Sequence, residues 1–383
     1  MKIIEFRPYI KVYMNTKENE VFLSRPLTDG DKGDTYELEE HISLLFKLIR
    51  DAKYTEEIII NKVTSQFPGT AQEVKNTLSF LLENNYINVT DKEIERSMMK
   101  ELENYQRIIP LWSEFETPSL TRYEIQKNLM NKKIGVIGCG TIGTGVVSQL
   151  VSYGISDFVL MDSDTVDRTN LTRQTLFSLD DIGKPKVNVL KKFIESRIEN
   201  STINAVRQTF GTDEELSVFE HVDIVIFAAD SSNLQRVKSD EIRALENMLE
   251  DFSKTHNIPI AFTGGYKGHT GRILPIVLPQ KTHSLTCLIK NLTSNSNHLN
   301  YDYAIDLNNN SSISLSSTSE MSSIVSSIVS FEIIKFLSGV IPVTLMNKVL
   351  YVEFQKYTVD HIVFPEENYN CFCTTKKLDE TVI

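Results

Sequence analysis

The chain has 383 residues, 41% of them hydrophobic, and a net charge of −11 from 40 basic and 51 acidic residues. This length is enough for about two to three domains. The acidic balance argues against a nucleic-acid-binding protein, which needs a basic surface. No apolar run approaches the roughly 20 residues of a membrane span, and Glu5, Arg7 and Lys11 interrupt the N-terminal apolar stretch. We therefore expect a cytoplasmic protein with no membrane partner and, from its four cysteines, no disulfide framework.

Residues 1–90 predict a small α+β domain. Thr55 is a predicted N-cap of the second helix, and Thr70 with Glu73 predicts a capping box on the third. The predicted elements are two strands, three helices and a closing strand, in the segments IKVYM, EVFLSR, TYELEEHISLLFKLIRDA, TEEIIINKVTSQF, TAQEVKNTLSFLLENN and YINVT. This order is typical of a winged helix-turn-helix.

Residues 91–130 are charged and mixed in pattern, which predicts a linker or arm with a helix over EIERSMMKELENYQR. From 131 to 383 the pattern changes to strands alternating with helices. The predicted strands are KIGVIG, DFVLMD, INAVRQTF, VDIVIFAAD and PIAFTGGY. Such alternation predicts an α/β, doubly wound, mainly parallel Rossmann-like sheet. A Ser- and Asn-rich loop is expected at about 290–323, followed by a buried helix that ends at Gly339.

A glycine pattern marks the first turn of this second region. Gly138, Gly140 and Gly143 fit G-x-G-x-x-G between a predicted strand and a predicted helix. Such glycines permit a tight turn and let the backbone approach an anion at a helix N-terminus. Asp162 ends the next strand, where a ribose-binding acid belongs. The pattern predicts a nucleotide or dinucleotide site, with a ligand-free tight turn as the alternative.

The segment after Asp162 favours a triphosphate over a dinucleotide. It holds one amide and three cations: Asn170, Arg173, Lys184 and Lys186. Cations at this density would neutralise the charge that develops on a leaving pyrophosphate. A solvated basic loop is the alternative.

Asp230 ends the later strand VDIVIFAAD at the carboxyl edge of the predicted sheet. A carboxylate facing a polyphosphate is a natural Mg²⁺ ligand. The alternative is an aspartate that caps the following helix.

The stretch 130–280, and more loosely the chain to about 360, resembles the adenylating domain of the ThiF/MoeB family, relatives of the ubiquitin-activating enzymes. The matching motifs are GCGTIG, LMDSDTVDRTNLTRQ, DIGKPKV and AADSSN. The match is strongest to the MccB-like members, which modify ribosomally made peptides. The resemblance implies ATP and Mg²⁺ as cofactors. It assigns the ribose to Asp162, phosphates to Asn170, Arg173 and Lys186, and Mg²⁺ to Asp230, with Arg173, Lys186 and Asp230 as catalytic residues.

The same resemblance implies a homodimer in which an arginine from one subunit's N-terminal arm reaches the other subunit's ATP. Arg107 is the candidate for this catalytic role and Arg96 the alternate, whereas a solvated helix arginine is the competing interpretation.

Most family members also bind zinc through two C-x-x-C pairs. This chain has Ser284 in place of one cysteine partner of Cys287, and near its C-terminus Cys371 and Cys373 form a shorter C-x-C pair. Even with His283 as a fourth ligand, this set makes a poor tetrahedral site, so we expect no zinc there.

Residues 1–90 resemble the PqqD-like domain that binds a leader peptide as an added strand along its third helix. A DNA-binding winged helix is disfavoured, because the third helix carries Lys75 against Glu73 and Glu83. The combined prediction is an ATP-dependent enzyme that activates a carboxylate or carboxamide of a ribosomal precursor peptide, by adenylation or phosphorylation, in peptide antibiotic biosynthesis. The product is a dehydrated ring or a peptidyl nucleotide. The alternatives are a sulfur-carrier adenylyltransferase of thiamin or molybdopterin type and a non-catalytic leader-binding scaffold.

Overall fold

The computed structural model contains two compact units, Met1–Lys127 and Asn128–Ile383. Contacts group residues 91–127 with the first 90, so the predicted boundary at residue 90 lies inside the first unit. The residues described are 1–15, 17–24, 33–117, 119–209, 211–229, 239–267, 269–279, 281–285, 287 and 317–363.

The first unit contains two small antiparallel sheets and three main helices. One sheet pairs β1 with β5, and the other has the order β2-β3-β4. The bounds are β1 Lys2–Phe6, β2 Lys11–Asn15, β3 Glu20–Ser24, β4 Asp34–Glu37, α1 Glu40–Arg50, α2 Glu56–Gln66, α3 Ala71–Glu83 and β5 Ile87–Asp91. The helices bury Leu45, Ile49, Ile59 and Leu78 in a common core. The predicted order of strands, three helices and a closing strand is confirmed, with β1 and β4 as strands that the sequence pattern missed.

The two predicted helix caps differ in outcome. The Thr55 hydroxyl accepts the Ile58 N–H at 3.3 Å, which confirms it as the N-cap of α2. Thr70 makes no side-chain cap bond, because its hydroxyl donates instead to the Phe67 carbonyl at 2.8 Å. The predicted capping box between Thr70 and Glu73 is therefore wrong.

Residues 92–130 form three further helices rather than one long one. These are α4 Lys92–Glu101, α5 Ile109–Trp112 and α6 Arg122–Met130, with 3-10 turns at 103–105 and 113–115. Leu102, Ile109 and Trp112 are buried. The Trp112 indole N–H donates to Gln126 Oε1 at 2.9 Å inside the unit.

The second unit contains the predicted doubly wound sheet. Its strand order is β13-β10-β9-β6-β7-β8, and β13 pairs antiparallel with β10 while the other pairs are parallel. The strands are β6 Lys133–Ile137, β7 Asp157–Met161, β8 Thr202–Val206, β9 Ile224–Phe227, β10 Ile260–Phe262 and β13 Ile276–Val277. The helices between them are α7 Thr141–Ser152, α8 Lys186–Glu195, α9 Asp213–Leu216 and α10 Ser239–His256. The α/β, mainly parallel Rossmann-like prediction is confirmed.

A second sheet in this unit is antiparallel, with the order β11-β12-β14-β15. Its strands are β11 Gly265–Lys267, β12 Thr270–Ile273, β14 Lys348–Glu353 and β15 Thr358–Val363, and α11 Ser319–Ser338 completes the unit. Helix α11 packs closely on α7, since a Cβ on Gly145 would lie 2.5 Å from Ser326 Oγ. It ends at Gly339 in the left-handed conformation, as predicted. The expected Ser- and Asn-rich loop lies outside the described residues up to 316, and α11 already begins at Ser319.

Among the described helices, α11 is long and apolar enough to cross a membrane by length and composition alone. Half of its apolar window is buried inside the protein, which is the property of a core helix.

Candidate nucleotide-binding site

The glycine turn joins β6 to α7, and two of its glycines are required by packing. Gly138 has a φ of +95°, and a Cβ there would lie 2.6 Å from the backbone of Ala228 and Ala229. A Cβ on Gly143 would lie 2.0 Å from the Gly138 carbonyl oxygen. These two positions let the turn pack against the end of β9, so a side chain at either would displace the backbone.

Gly140 differs from the other two glycines because a Cβ there would meet no atom within 4 Å. It occupies the N-cap position of α7 and has no side chain to bond the first N–H groups of the helix. The first turn of a helix leaves N–H groups without intrahelical acceptors, and the helix dipole favours an anion there. The open backbone at Gly140 therefore fits a phosphate group.

Asp162 braces the glycine turn from the end of β7. Its Oδ2 accepts the Cys139 N–H at 2.6 Å, and its Oδ1 accepts the Asp164 N–H at 2.8 Å. The side chain is half-buried. The carboxylate thus lies where a ribose-binding acid was predicted. It also holds the glycine turn through hydrogen bonds that the sequence did not indicate.

Lys186 is a buried cation beside this turn. It is 6% exposed, its Nζ lies 2.8 Å from Asp164 Oδ2, and its backbone N–H donates to the Asp164 carbonyl at 3.0 Å. Burial, together with the Asp162 charge, raises the pKa of the Cys139 thiol well above its ordinary value, while Lys186 acts in the opposite sense. Asp162 and Lys186 are therefore both within electrostatic range of the turn, and Cys139 is a protonated packing residue rather than a nucleophile.

Asn170 lies in a 3-10 turn at Arg168–Thr172, and Arg173 follows this turn directly. Asn170 is buried, and its Oδ1 accepts the Asp167 N–H at 3.0 Å. The Arg173 Nη1 donates to the Thr169 carbonyl at 2.8 Å. Both side chains are thus oriented by contacts within their own segment, and the Asn170 oxygen is already used as a cap.

Gln174 is a site residue that the sequence did not indicate. It is 3% exposed, and its Nε2 donates to Thr141 Oγ1, at the start of α7, at 3.3 Å. Its Oε1 is buried and has no hydrogen-bond partner within the described part of the chain. This contact joins the segment that carries Arg173 to the glycine helix. In the sequence, the only feature that could have identified Gln174 is its position directly after the predicted phosphate-binding residue Arg173.

Lys184, in contrast, pairs with Asp181 at 3.1 Å on the exposed side of a turn. Asp230 lies outside the described residues. Arg96 and Arg107 are exposed and belong to the first unit, whereas the glycine turn belongs to the second.

Of the cysteines considered for zinc, Cys287 is disulfide-bonded, and Cys371 and Cys373 lie outside the described residues. Ser284 Oγ accepts the Cys287 N–H at 3.2 Å.

The similarity to solved structures with the same fold covers nearly the whole chain. A crystal structure of E. coli MccB with AMPCPP and MccA matches 97% of this chain and 99% of that one, with a TM-score of 0.71 and 20% identity. A crystal structure of PaaA matches 93% of this chain and 98% of that one, with a TM-score of 0.69 and 18% identity. At these identities the likeness shows the fold.

Sequence similarity covers a smaller part. The NEDD8-activating enzyme E1 catalytic subunit of Schizosaccharomyces pombe is 28% identical over 170 residues, which are 44% of this chain and 36% of that protein. The chain thus matches about a third of the length of this relative. The model of the ThiF family matches residues 105–373, well over half of the chain. The chain therefore belongs to the ThiF family.

Proposed function

We propose that the protein uses ATP to activate a carboxylate or carboxamide of a ribosomally made precursor peptide, by adenylation or phosphorylation. One observation carries the proposal: an open glycine turn at a helix N-terminus lies beside the buried cation Lys186. This pairing suits a phosphate chain whose charge increases during the reaction.

The residues present fit ATP. The backbone at Gly140 and the first turn of α7 would bind phosphate, and Asn170, Arg173 and Lys186 would contact the remaining phosphate oxygens. When bound, ATP supplies the adenylyl or phosphoryl group. The Lys186 ammonium group is held in position by Asp164 Oδ2, at 2.8 Å. The cation therefore needs no rearrangement as negative charge develops on the phosphates. Asp162 would hold the ribose hydroxyls while it keeps the turn in place, and Asp230 is the proposed Mg²⁺ ligand.

The peptide part of the proposal is supported by the first unit. Strand β4 is at one end of the sheet order β2-β3-β4, and its second side pairs with no strand among the described residues. Phe80 of α3 is 40% exposed and stacks edge-on against Tyr36 of β4, with ring centroids 5.9 Å apart. An extended leader peptide would add a strand beside β4, with Phe80 as an apolar contact. The likeness to MccB, solved with MccA, extends over this unit and supports a peptide substrate.

Nucleic acid is a less suitable partner for this surface. Helix α3 carries Lys75 against Glu73 and Glu83, and the whole chain has a net charge of −11. We further propose a homodimer in which Arg107, exposed in the first unit, reaches the ATP of the other subunit. Arg96, on the exposed side of α4, is the alternate for that role.

The test is incubation of the full-length protein with ATP, Mg²⁺ and the peptide encoded by a short neighbouring reading frame, followed by mass spectrometry. Loss of water indicates ring formation, and gain of a nucleotidyl mass indicates a peptidyl nucleotide. An unchanged peptide, with no ATP consumed, would exclude the proposed activity. Adenylation of a ubiquitin-like sulfur carrier but not of the peptide would favour the sulfur-carrier alternative.

The leader-binding role has its own measurement. Residues 1–127 are expected to bind the leader peptide as tightly as the full chain does, because they form one compact unit. The matched variant is Phe80→Ala, which should weaken leader binding about tenfold and leave ATP binding unchanged. Equal leader affinity in the variant would exclude the surface between β4 and α3.

A further inference from the structure

A buried imidazole lies between two carboxylates in the first unit. His41, in the first turn of α1, is 4% exposed. Its Nε2 lies 2.9 Å from Glu73 Oε2, and its Nδ1 lies 3.5 Å from Glu39 Oε2. Glu39 is the N-cap residue of α1, and Glu73 lies in the first turn of α3. One ligand atom from each of the three residues lies within 4.8 Å of the other two.

The hydrogen bonding of His41 is incomplete despite the short distance to Glu73. The buried Nε2 has no hydrogen-bond partner in the described ranges, which means that the carboxylate oxygen at 2.9 Å lies off the axis of the nitrogen. At the tetrahedral angle, two ligand atoms about 2.1 Å from one Zn²⁺ are roughly 3.4 Å apart, and neither atom lies on the other's hydrogen-bond axis. The missing hydrogen bond agrees with that arrangement, and the exposed Glu73 carboxylate, now 2.9 Å from Nε2, would move outward by about 0.5 Å as the ion enters.

We propose that Glu39, His41 and Glu73 bind a divalent transition-metal ion of the Zn²⁺ class. An imidazole nitrogen disfavours Mg²⁺ and Ca²⁺, which take oxygen ligands, and suits Zn²⁺. Two carboxylates and a neutral imidazole carry a charge of −2, which balances the ion. This site contains no sulfur, so it is distinct from a zinc site built of C-x-x-C pairs. It is also independent of the proposed ATP chemistry.

The surroundings of the site permit entry of an ion and hold the imidazole in place. One ion binds a single imidazole nitrogen, here Nε2 beside Glu73, so the Glu39 carboxylate, which lies on the Nδ1 side, has to rotate to complete the coordination. The Glu39 and Glu73 side chains are 76% and 52% exposed, which permits this movement, with water at the remaining positions. The Phe67 ring is a neighbour of the imidazole, with the two ring centroids 6.1 Å apart. A bound ion would connect the start of α1 to the start of α3 and would stabilise the folded unit by linkage.

The experiment uses the full-length protein, stripped with a chelator, desalted and titrated with Zn²⁺ by calorimetry, with Co²⁺ absorption as a second readout. The wild type is expected to take up about one Zn²⁺ per chain in this unit and to melt at a higher temperature when it is loaded. Glu73→Gln should weaken that binding at least about tenfold and remove the Zn²⁺-induced rise in Tm.

Glu57→Gln is the matched control, because Glu57 is an exposed acid in the first turn of α2 and its loss changes the charge equally. This control should bind Zn²⁺ as the wild type does. Equal Zn²⁺ affinity in the wild type and Glu73→Gln would overturn the proposal, since the bound ion would then belong elsewhere. A wild type that binds no Zn²⁺, with Glu73→Gln lowering Tm in metal-free buffer, would overturn it in favour of a simple ion pair.

Discussion

The two units hold their charged side chains in different ways. In the second unit, the contacts around the glycine turn join residues about twenty positions apart: Asp162 to Cys139 and Lys186 to Asp164, with separations of 23 and 22 residues. In the first unit, the Arg7 guanidinium donates to the Ser113 carbonyl at 2.9 Å, and Lys92 pairs with Glu5 at 2.6 Å. The contacts of the second unit lie within one motif-bearing segment, so the sequence can identify most of that site. The contacts of the first unit span about a hundred residues, fix the architecture of the unit and leave no motif.

The charged group with the largest expected effect on activity is Lys186. Lys186→Met removes the buried cation, and we expect about a 1000-fold loss in ATP–pyrophosphate exchange, equivalent to about 4 kcal/mol. Its partner Asp164 is half exposed and can be solvated, so the fold should persist. Lys184→Met is the control, because Lys184 pairs with Asp181 on an exposed turn, and it should change the rate less than about threefold. Equal losses in both variants would contradict the role assigned to Lys186.

The first unit has a comparable buried cation whose role is structural. Arg122 is 6% exposed, and its Nη2 donates to Glu95 Oε1 at 2.5 Å. Arg122→Met leaves Glu95 half-buried with one cation fewer, so we expect a loss of about 3 kcal/mol in the free energy of unfolding of this unit. Chemical denaturation followed by Trp112 fluorescence measures it, since Trp112 is the single tryptophan and lies in this unit. Weakened ATP binding with unchanged stability would contradict the separation of roles.

The ion pair between Glu95 and Arg122 also predicts how the stability of the first unit depends on pH. Burial raises the pKa of Glu95, but its hydrogen bond to Lys92 and the charges of Lys92 and Arg122 outweigh burial and hold the pKa below the ordinary 4.5. A lowered carboxyl pKa contributes stability above the ordinary value, and this contribution is lost as the pH falls through the folded-state pKa. The difference in stability between wild type and Arg122→Met should therefore shrink as the pH falls below the ordinary 4.5 and through the lower pKa that Glu95 has in the folded protein.

The sequence predicted the second unit more completely than the first for a physical reason. Local backbone geometry requires glycine at positions 138 and 143, and the strands around them follow from patterns of adjacent residues. Both kinds of signal can be identified in a short stretch of sequence. Asp164 and Gln174 were missed because their roles depend on partners that come close only when the sheet forms. In the first unit, the mixed and charged pattern of residues 91–130 predicts a linker or arm. Those charges instead pair inward, with Glu95 between Lys92 and Arg122.

Substitution of Asp162 is expected to have an intermediate effect on ATP binding, because this side chain holds the glycine turn and is the proposed ribose contact. The Asp162 carboxylate accepts the backbone N–H groups of Cys139 and Asp164. In Asp162→Asn the amide oxygen can accept one of these hydrogen bonds, but the NH₂ group would face the other N–H and cannot accept it. We expect ATP to bind about tenfold more weakly, which is about 1.4 kcal/mol. Calorimetric titration with a non-hydrolysable ATP analogue measures it. Asp181→Asn, on the exposed turn with Lys184, is the control and should retain wild-type affinity.

The smallest expected effect separates two threonines that the sequence treated alike. Both precede helices of the first unit, but only Thr55 accepts a backbone N–H, from Ile58 at 3.3 Å. Thr55→Ala should cost about 1 kcal/mol in the free energy of unfolding, the usual effect of losing an N-cap. Thr70→Ala should cost a few tenths of a kcal/mol at most, because its hydroxyl bonds the Phe67 carbonyl rather than the helix. Paired denaturation curves of the two variants decide it. Equal losses would mean that Thr70 caps α3 in solution and that Glu73 is drawn toward that cap and away from His41, which would weaken the metal site as well.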